Sequence, residues 1–258
     1  MYNKQLSLNP EEYYCRNRWL LSPSFHTKKV LVVGTGAGSY LVEKLARMGP
    51  AQLVLLDYDT VEVANLTRTA FGVRDLGHPK VEALAEHVRD ANPFVDVHPM
   101  VADICKLGDQ EVLSLVQSVD LVIAGTDSFS AQALLNRVSQ KAGVPTVFIG
   151  IHDQAFGGRI IRTLPGATPC YRCIAHERYL HFGETGDGIT DLVGAHGLLV
   201  DMQFIDMVAL KVAVALLERG QDSAMGRFFN HMGGRNEIIV RTTPEYEYGA
   251  LLWDAILG

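Results

Sequence analysis

One stretch constrains this chain more than any other: Val30-Leu-Val-Val-Gly-Thr-Gly-Ala-Gly-Ser39, an unbroken apolar strand that runs into three alternating glycines and then into a helical period. A strand apolar at every position has both faces buried, which a parallel sheet covered by helices provides. Glycines at the strand-to-helix turn leave backbone N–H groups free to face phosphate oxygens. The spacing of Gly34, Gly36 and Gly38 departs from G-x-G-x-x-G, so a tight turn packed on a helix, with no ligand, is the competing reading. About twenty residues later, Leu55-Leu-Asp57-Tyr-Asp59 ends a second strand, and an acid in that place can hold a ribose. The pair of features predicts a nucleotide site.

The rest of the first half repeats the alternation. Strand-like runs at Val30–Val33, Leu53–Leu56, Val95–Val101, Leu121–Ile123 and Val147–Ile149 are separated by helix-period stretches at Tyr40–Met48, Lys80–Asp90, Glu111–Val119 and Ala131–Ala142. Such alternation needs crossover helices and predicts an α/β fold: a Rossmann-like, doubly wound, mostly parallel sheet with ligands at the carboxyl ends of its strands. Beyond Ile149 the texture changes to a strand at Arg159–Thr163, a Pro/Cys-rich loop at Leu164–Cys173, a glycine-rich loop at Gly183–Gly197, a helix at Leu198–Leu217, and strands near Arg227–Met232 and Glu237–Thr242. The expectation is one domain over residues 1–258. Residues 29–150 form its nucleotide-binding half, and residues 151–258 extend the sheet with antiparallel strands and cover the site.

Composition narrows the function. With 48% hydrophobic residues the chain has ample core, and a net charge of −6 argues against a nucleic-acid partner. Four irregularly spaced cysteines make no disulfide framework. The first ten residues lack an apolar signal core, and Asp201, Asp206 and Lys211 interrupt the most apolar helix, which suits a buried or subunit-facing helix. A cytoplasmic protein without a membrane span is expected.

The nucleotide and its chemistry are marked downstream. Asp57-Tyr-Asp59-Thr-Val is followed by Asn65-Leu-Thr-Arg68, by Gly77-His-Pro-Lys80 at a helix start, and by Thr126-Asp127-Ser after the fourth strand. From roughly Tyr13 to Lys211 the chain resembles the ThiF/MoeB/HesA family, bacterial relatives of ubiquitin-activating enzymes that adenylate the C-terminal glycine of small ubiquitin-like proteins. The resemblance implies ATP and magnesium as cofactors, a homodimer, and a small ubiquitin-like or sulfur-carrier protein with a C-terminal glycine as partner. It places Gly34, Gly36 and Gly38 at the nucleotide, with Asp57 at the ribose and Asp59 beside it. Asn65, Arg68 and Lys80 fall at the phosphates and Asp127 at the magnesium ion. It also implies that residues 1–28 form an arm whose Arg18 reaches the partner subunit's site.

The chemistry follows from charge. A peptide carboxylate is anionic at neutral pH, so its attack on the α-phosphorus needs no general base. It needs compensation for bringing an anion to a triphosphate, which lysine, arginine, a metal ion and strand-end amides supply. Each residue has a plainer alternative: Lys80 and Arg68 as solvated charges, Asp127 as a helix cap, Asn65 as a turn residue.

Two departures from the family stand out. Gly183–Gly197 holds no cysteine, which removes thiolate chemistry from the loop where many members carry one. Cys170-Tyr-Arg-Cys173 matches the first C-x-x-C of a structural zinc site, but Pro244–Tyr248 holds no second pair. Zinc wants four ligands, so either His176, His181 or His231 completes a mixed site or the two thiols pack as small apolar residues. Cys15 and Cys105 read as packing residues. His152 and His196 flank the site in loops and receive no catalytic role. A nicotinamide-dependent oxidoreductase, and a non-catalytic carrier-binding half of a heterodimer, are the alternative functions.

Overall fold

The computed structural model describes residues 8–182, 197–243 and 250–251. A single-turn helix, α1 (Pro10–Tyr13), precedes a regular alternation: β1 (Lys29–Val33), α2 (Ser39–Met48), β2 (Gln52–Asp57), α3 (Lys80–Ala91), β3 (Asp96–Val101), α4 (Asp109–Gln117), β4 (Leu121–Ala124), α5 (Phe129–Ala142) and β5 (Thr146–Ile151). Then follow β6 (Gly157–Thr163), α6 (Tyr171–Ile174), α7 (His176–Phe182), α8 (Leu199–Leu217), α9 (Ala224–Met232), β7 (Glu237–Arg241) and β8 (Ala250–Leu251). All the strands join one sheet in the order β3-β2-β1-β4-β5-β6-β7-β8. Strands β1 to β5 pair in parallel, and the antiparallel pairings are those of β6 with β5 and β7. The short β8 runs parallel to β7.

Strand β1 shows why its sequence is apolar throughout. Val30 and Val32 join the core formed with α2, α3 and α8, while Leu31 and Val33 join a second core against α4 and α5 on the opposite face. Leu41, Val42, Leu45 and Ala46 form the inner stripe of α2, which stops at Gly49 in the left-handed conformation (φ 82°). Helix α8 is apolar on nearly all sides because it is covered by the sheet and α2 on one flank and by α9 on the other. No helix among the described residues is long and apolar enough to cross a membrane.

The structure corrects three expectations. Arg227–Met232 is helical, not a strand: Ser223 caps α9 by accepting from the Gly226 N–H, and Met225, Phe228, Phe229 and Met232 recur at helical spacing against the core. The loop expected through Cys173 gives way to α6 at Tyr171. Cys15 and Cys105 are exposed on the surface and not buried in the core. The cysteine-free loop, apart from Gly197, lies outside the described residues, as do His196 and Pro244–Tyr248.

The arm is anchored on its own chain far from the glycine turn. Tyr14 donates to Asn92 Oδ1 (3.2 Å), and its ring fills the space beside Gly49, at the C-terminal end of α2. Ser22 follows, its N–H and hydroxyl both donating to the buried Glu218 carboxylate at 2.7 Å.

Candidate functional site

Strand order reverses between β1 and β4, so the connections leaving their carboxyl ends diverge and open a crevice. Gly34 turns there at φ +85°, and a Cβ on it would lie 2.7 Å from the Thr126 backbone nitrogen, so the loops after β1 and β4 touch across a position that only glycine can fill. Gly36 and Gly38 are different. A Cβ on Gly36 would meet only the Lys80 ammonium at 3.6 Å, and one on Gly38 only the Gly34 carbonyl oxygen at 3.6 Å. Packing does not require glycine at either place, and the bare backbone there suits the close approach of a ligand.

The acid that ends β2 braces this turn. Asp57 is buried, its Oδ2 accepting from the Thr35 N–H (2.7 Å) and Thr35 hydroxyl (3.1 Å), its Oδ1 from the Asp59 N–H (3.0 Å). Asp59 in turn pairs with Lys80, Oδ2 to Nζ 2.7 Å, at the first residue of α3. Lys80 is only 8% exposed, so it is not a solvated surface charge; the Asp59 carbonyl accepts its N–H (2.9 Å) and fixes its place. Gly34, Gly36, Asp57, Asp59 and Lys80 are thereby gathered into one cluster.

The other expected residues border it. Asn65 lies in a 3₁₀ turn, its Oδ1 accepting the Glu62 N–H, which is the turn role weighed for it. Its carbonyl accepts the Arg68 N–H and the Thr69 hydroxyl, and the Ala70 N–H donates to Ser39 Oγ, which ties the segment carrying Arg68 to the start of α2. Asp127 is exposed beyond β4, and Ser128 rather than Asp127 caps α5, accepting from the Ala131 N–H. Tyr58, on the rim, is 63% exposed. The charge of Asp59 first, then burial, then Asp103, Asp57 and Asp127, pushes its hydroxyl pKa up, so the rim carries a negative field. Arg18 is exposed, its guanidinium over the Trp19 ring on the distant arm.

A supporting network was not legible in the sequence. Gln132 on α5 donates to the Thr126 carbonyl, and its Oε1 accepts from the Tyr171 hydroxyl and from Arg178. Arg178 also lies over the Phe129 ring. Arg159 pairs with Glu237 and donates to the Ile174 carbonyl. His152 is half-buried; burial, then the positive charges of Arg159 and Arg178, push its pKa down.

The two implied metals fare differently. Magnesium commonly binds through one or two carboxylates together with substrate phosphates and water, and an exposed Asp127 just beyond the loop that touches the glycine turn fits such a role. For zinc, Cys170 and Cys173 face each other with Sγ atoms 3.6 Å apart. Among the described residues no group of three or more His, Cys, Asp or Glu side chains is placed to hold a metal, so none of His176, His181 and His231 completes a site with them.

Comparison with known proteins places the chain among relatives. The ThiF family model matches residues 23–243. The SAMP-activating enzyme E1 of Haloferax volcanii is 37% identical over 153 residues, 58% of this chain and 54% of that protein. The molybdopterin-synthase adenylyltransferase of Salmonella typhimurium is 32% identical over 213 residues, 81% of each chain. The solved structure of E. coli MccB with ATP shares the fold at a TM-score of 0.64 and 19% identity, covering 88% of this chain and 68% of that one. Relatives of this type are named as adenylyltransferases and activating enzymes, and on both sequence and architecture the chain belongs to the ThiF family.

Proposed function

We propose that this protein uses ATP to adenylate the C-terminal carboxylate of a small ubiquitin-like or sulfur-carrier protein, releasing pyrophosphate, and does so without a cysteine in the usual loop. The observation that carries the reading is the Gly36–Lys80–Asp59 cluster. A buried ammonium is held against a backbone turn that packing leaves bare. In this reading the turn amides and Lys80 hold the phosphates, Arg68 adds a second cation from the segment that Ala70 ties to the start of α2, and Asp57 keeps the turn closed. Magnesium, held by Asp127, would neutralise phosphate charge when bound. The carrier carboxylate needs no proton removed, so the work of the site is positioning and charge compensation. The names of the two relatives support the substrate class.

The dehydrogenase alternative leaves the Lys80–Asp59 pair and Arg68 without a task. The test is substrate-dependent exchange of radiolabelled pyrophosphate into ATP with carriers that end in glycine. Exchange is expected with at least one carrier and is expected to vanish in Asp127→Ala. Carrier binding without exchange in the wild-type protein would instead identify a non-catalytic binding subunit. As a second readout, ATP with magnesium should raise Tm while NAD leaves it unchanged, because a ligand of the folded state stabilises it.

A further inference from the structure

We propose that Cys170 and Cys173 form a redox-active dithiol that closes to an intrachain disulfide, in place of half of a four-ligand zinc site. The geometry is that of a pair. Cys170 occupies the N-cap of α6 and Cys173 lies one turn on, its N–H donating to the Cys170 carbonyl at 3.0 Å, which places both side chains on one face with the sulfurs 3.6 Å apart. A disulfide needs about 2.05 Å between sulfurs, a distance that small side-chain rotations reach from there.

The surroundings hold the pair open to solvent on one side and fixed on the other. Asn136 on α5 donates to Cys170 Sγ at 3.9 Å and accepts the Tyr171 N–H at 2.9 Å. The Tyr171 ring is buried and stacked on Phe148, with centroids 4.3 Å apart. The Cys170–Tyr171 end of the segment is therefore anchored, and the backbone hydrogen bond from Cys173 to Cys170 holds the second thiol one turn away. Cys173 is exposed and Cys170 half-buried, an arrangement in which one thiol meets an outside reagent and the other resolves the product.

A zinc site, by contrast, lacks ligands among the described residues. The chain has only four cysteines. Cys15 sits just after α1 and Cys105 in the turn after β3, and neither joins a metal-holding group among the described residues.

The oxidant is a small-molecule disulfide such as oxidised glutathione. The Cys173 sulfur, having lost its proton, attacks one sulfur of the reagent, forming a mixed disulfide and releasing one thiol. The Cys170 sulfur then displaces the second thiol. Two protons and two electrons pass from the protein to the reagent, the S–S bond of the reagent breaks, and one forms in the protein.

The test uses the full chain with Cys15→Ser and Cys105→Ser, equilibrated in glutathione buffers of stepped ratio, denatured, alkylated with a maleimide and weighed intact. Both remaining thiols are expected to disappear together with the loss of two hydrogens and no retained glutathione, and to return with dithiothreitol. Peptide mapping of the wild-type chain should show the same 170–173 bond, which covers the case in which the double variant folds poorly. Stoichiometric zinc that shields both thiols from the maleimide until a chelator is added would overturn the proposal. So would thiols that stay free, or that take up glutathione separately, at every ratio.

Discussion

Gly34 and Gly36 stand two residues apart and place opposite demands on a side chain. Alanine at 34 must adopt a left-handed backbone and press a methyl group to 2.7 Å from a backbone nitrogen, so Gly34→Ala should cost about 2 kcal/mol or more of stability, read as a lower denaturant midpoint. Alanine at 36 meets only the end of Lys80, so Gly36→Ala should change the unfolding free energy by less than about 0.5 kcal/mol while abolishing the ATP-dependent rise in Tm. A Gly36→Ala protein that still gains the full nucleotide shift would show that the turn does not receive phosphate. Lys80→Met tests the cation. Its partner Asp59 is about half exposed, so the pair adds under about 1 kcal/mol to folding, whereas adenylation should fall about 10²- to 10³-fold. These residues were readable in the sequence because strand, glycines, acid and lysine follow one another along the chain. Thr35 and Ser39 were not singled out, since their tasks depend on Asp57 and Ala70, brought near only by the fold. The network of Gln132 with Tyr171 and Arg178 spans separations of 39 and 46 residues, and no local pattern announces it.

Among the elements, α8 carries the clearest energetic cost. Asp206 is buried on its apolar surface with Oδ2 unpartnered, and burial pushes its pKa up from 3.8 to about 8. The folded chain therefore keeps a proton on Asp206 over a pH range in which the unfolded chain has lost it. The contribution of this group to stability is greatest below the unfolded value of 3.8 and is lost progressively as pH rises toward about 8. Asp206→Asn removes the titration. The variant should be more stable than wild type at pH 8 by an amount on the order of a few kcal/mol, with the gap closing as pH falls toward 4. Urea denaturation at several pH values reads both quantities, and parallel curves for the two proteins would remove Asp206 as the source. The same helix is legible in outline from its length and apolarity, interrupted by Asp201, Asp206 and Lys211. The neighbouring α9 reads as a strand in the sequence because Phe228 and Phe229 side by side favour one on propensity. The Ser223 cap and the recurrence from Met225 to Met232 decided otherwise once a core lay beneath them.

At the level of the whole molecule the question is where Arg18 acts. Its arm is pinned by Tyr14 beside Gly49 and Asn92, at the far end of α2 from the glycine turn, and by Ser22 to Glu218. A ten-residue helix is about 15 Å long, so delivering Arg18 to the turn of its own chain would mean releasing those anchors. The homodimer that the family resemblance implies would remove the conflict, because an arm anchored at one chain's far edge can project into the crevice of another. Exposed Trp19 and Leu20 beside Arg18 are the side chains such a contact would cover. The arrangement makes a quantitative prediction. Arg18→Ala and Asp127→Ala chains should each be nearly inactive alone. When they are mixed, unfolded and refolded together, random pairing makes half the dimers mixed, and in each of these one site keeps Asp127 and receives an intact Arg18. Pyrophosphate exchange should then recover to about a quarter of the wild-type value. If Arg18 served the site of its own chain, each variant's defect would remain within its own site and mixing would restore nothing. Recovery that rises and falls with the fraction of mixed dimers would assign the arginine to the partner's crevice and make the dimer a requirement of the chemistry.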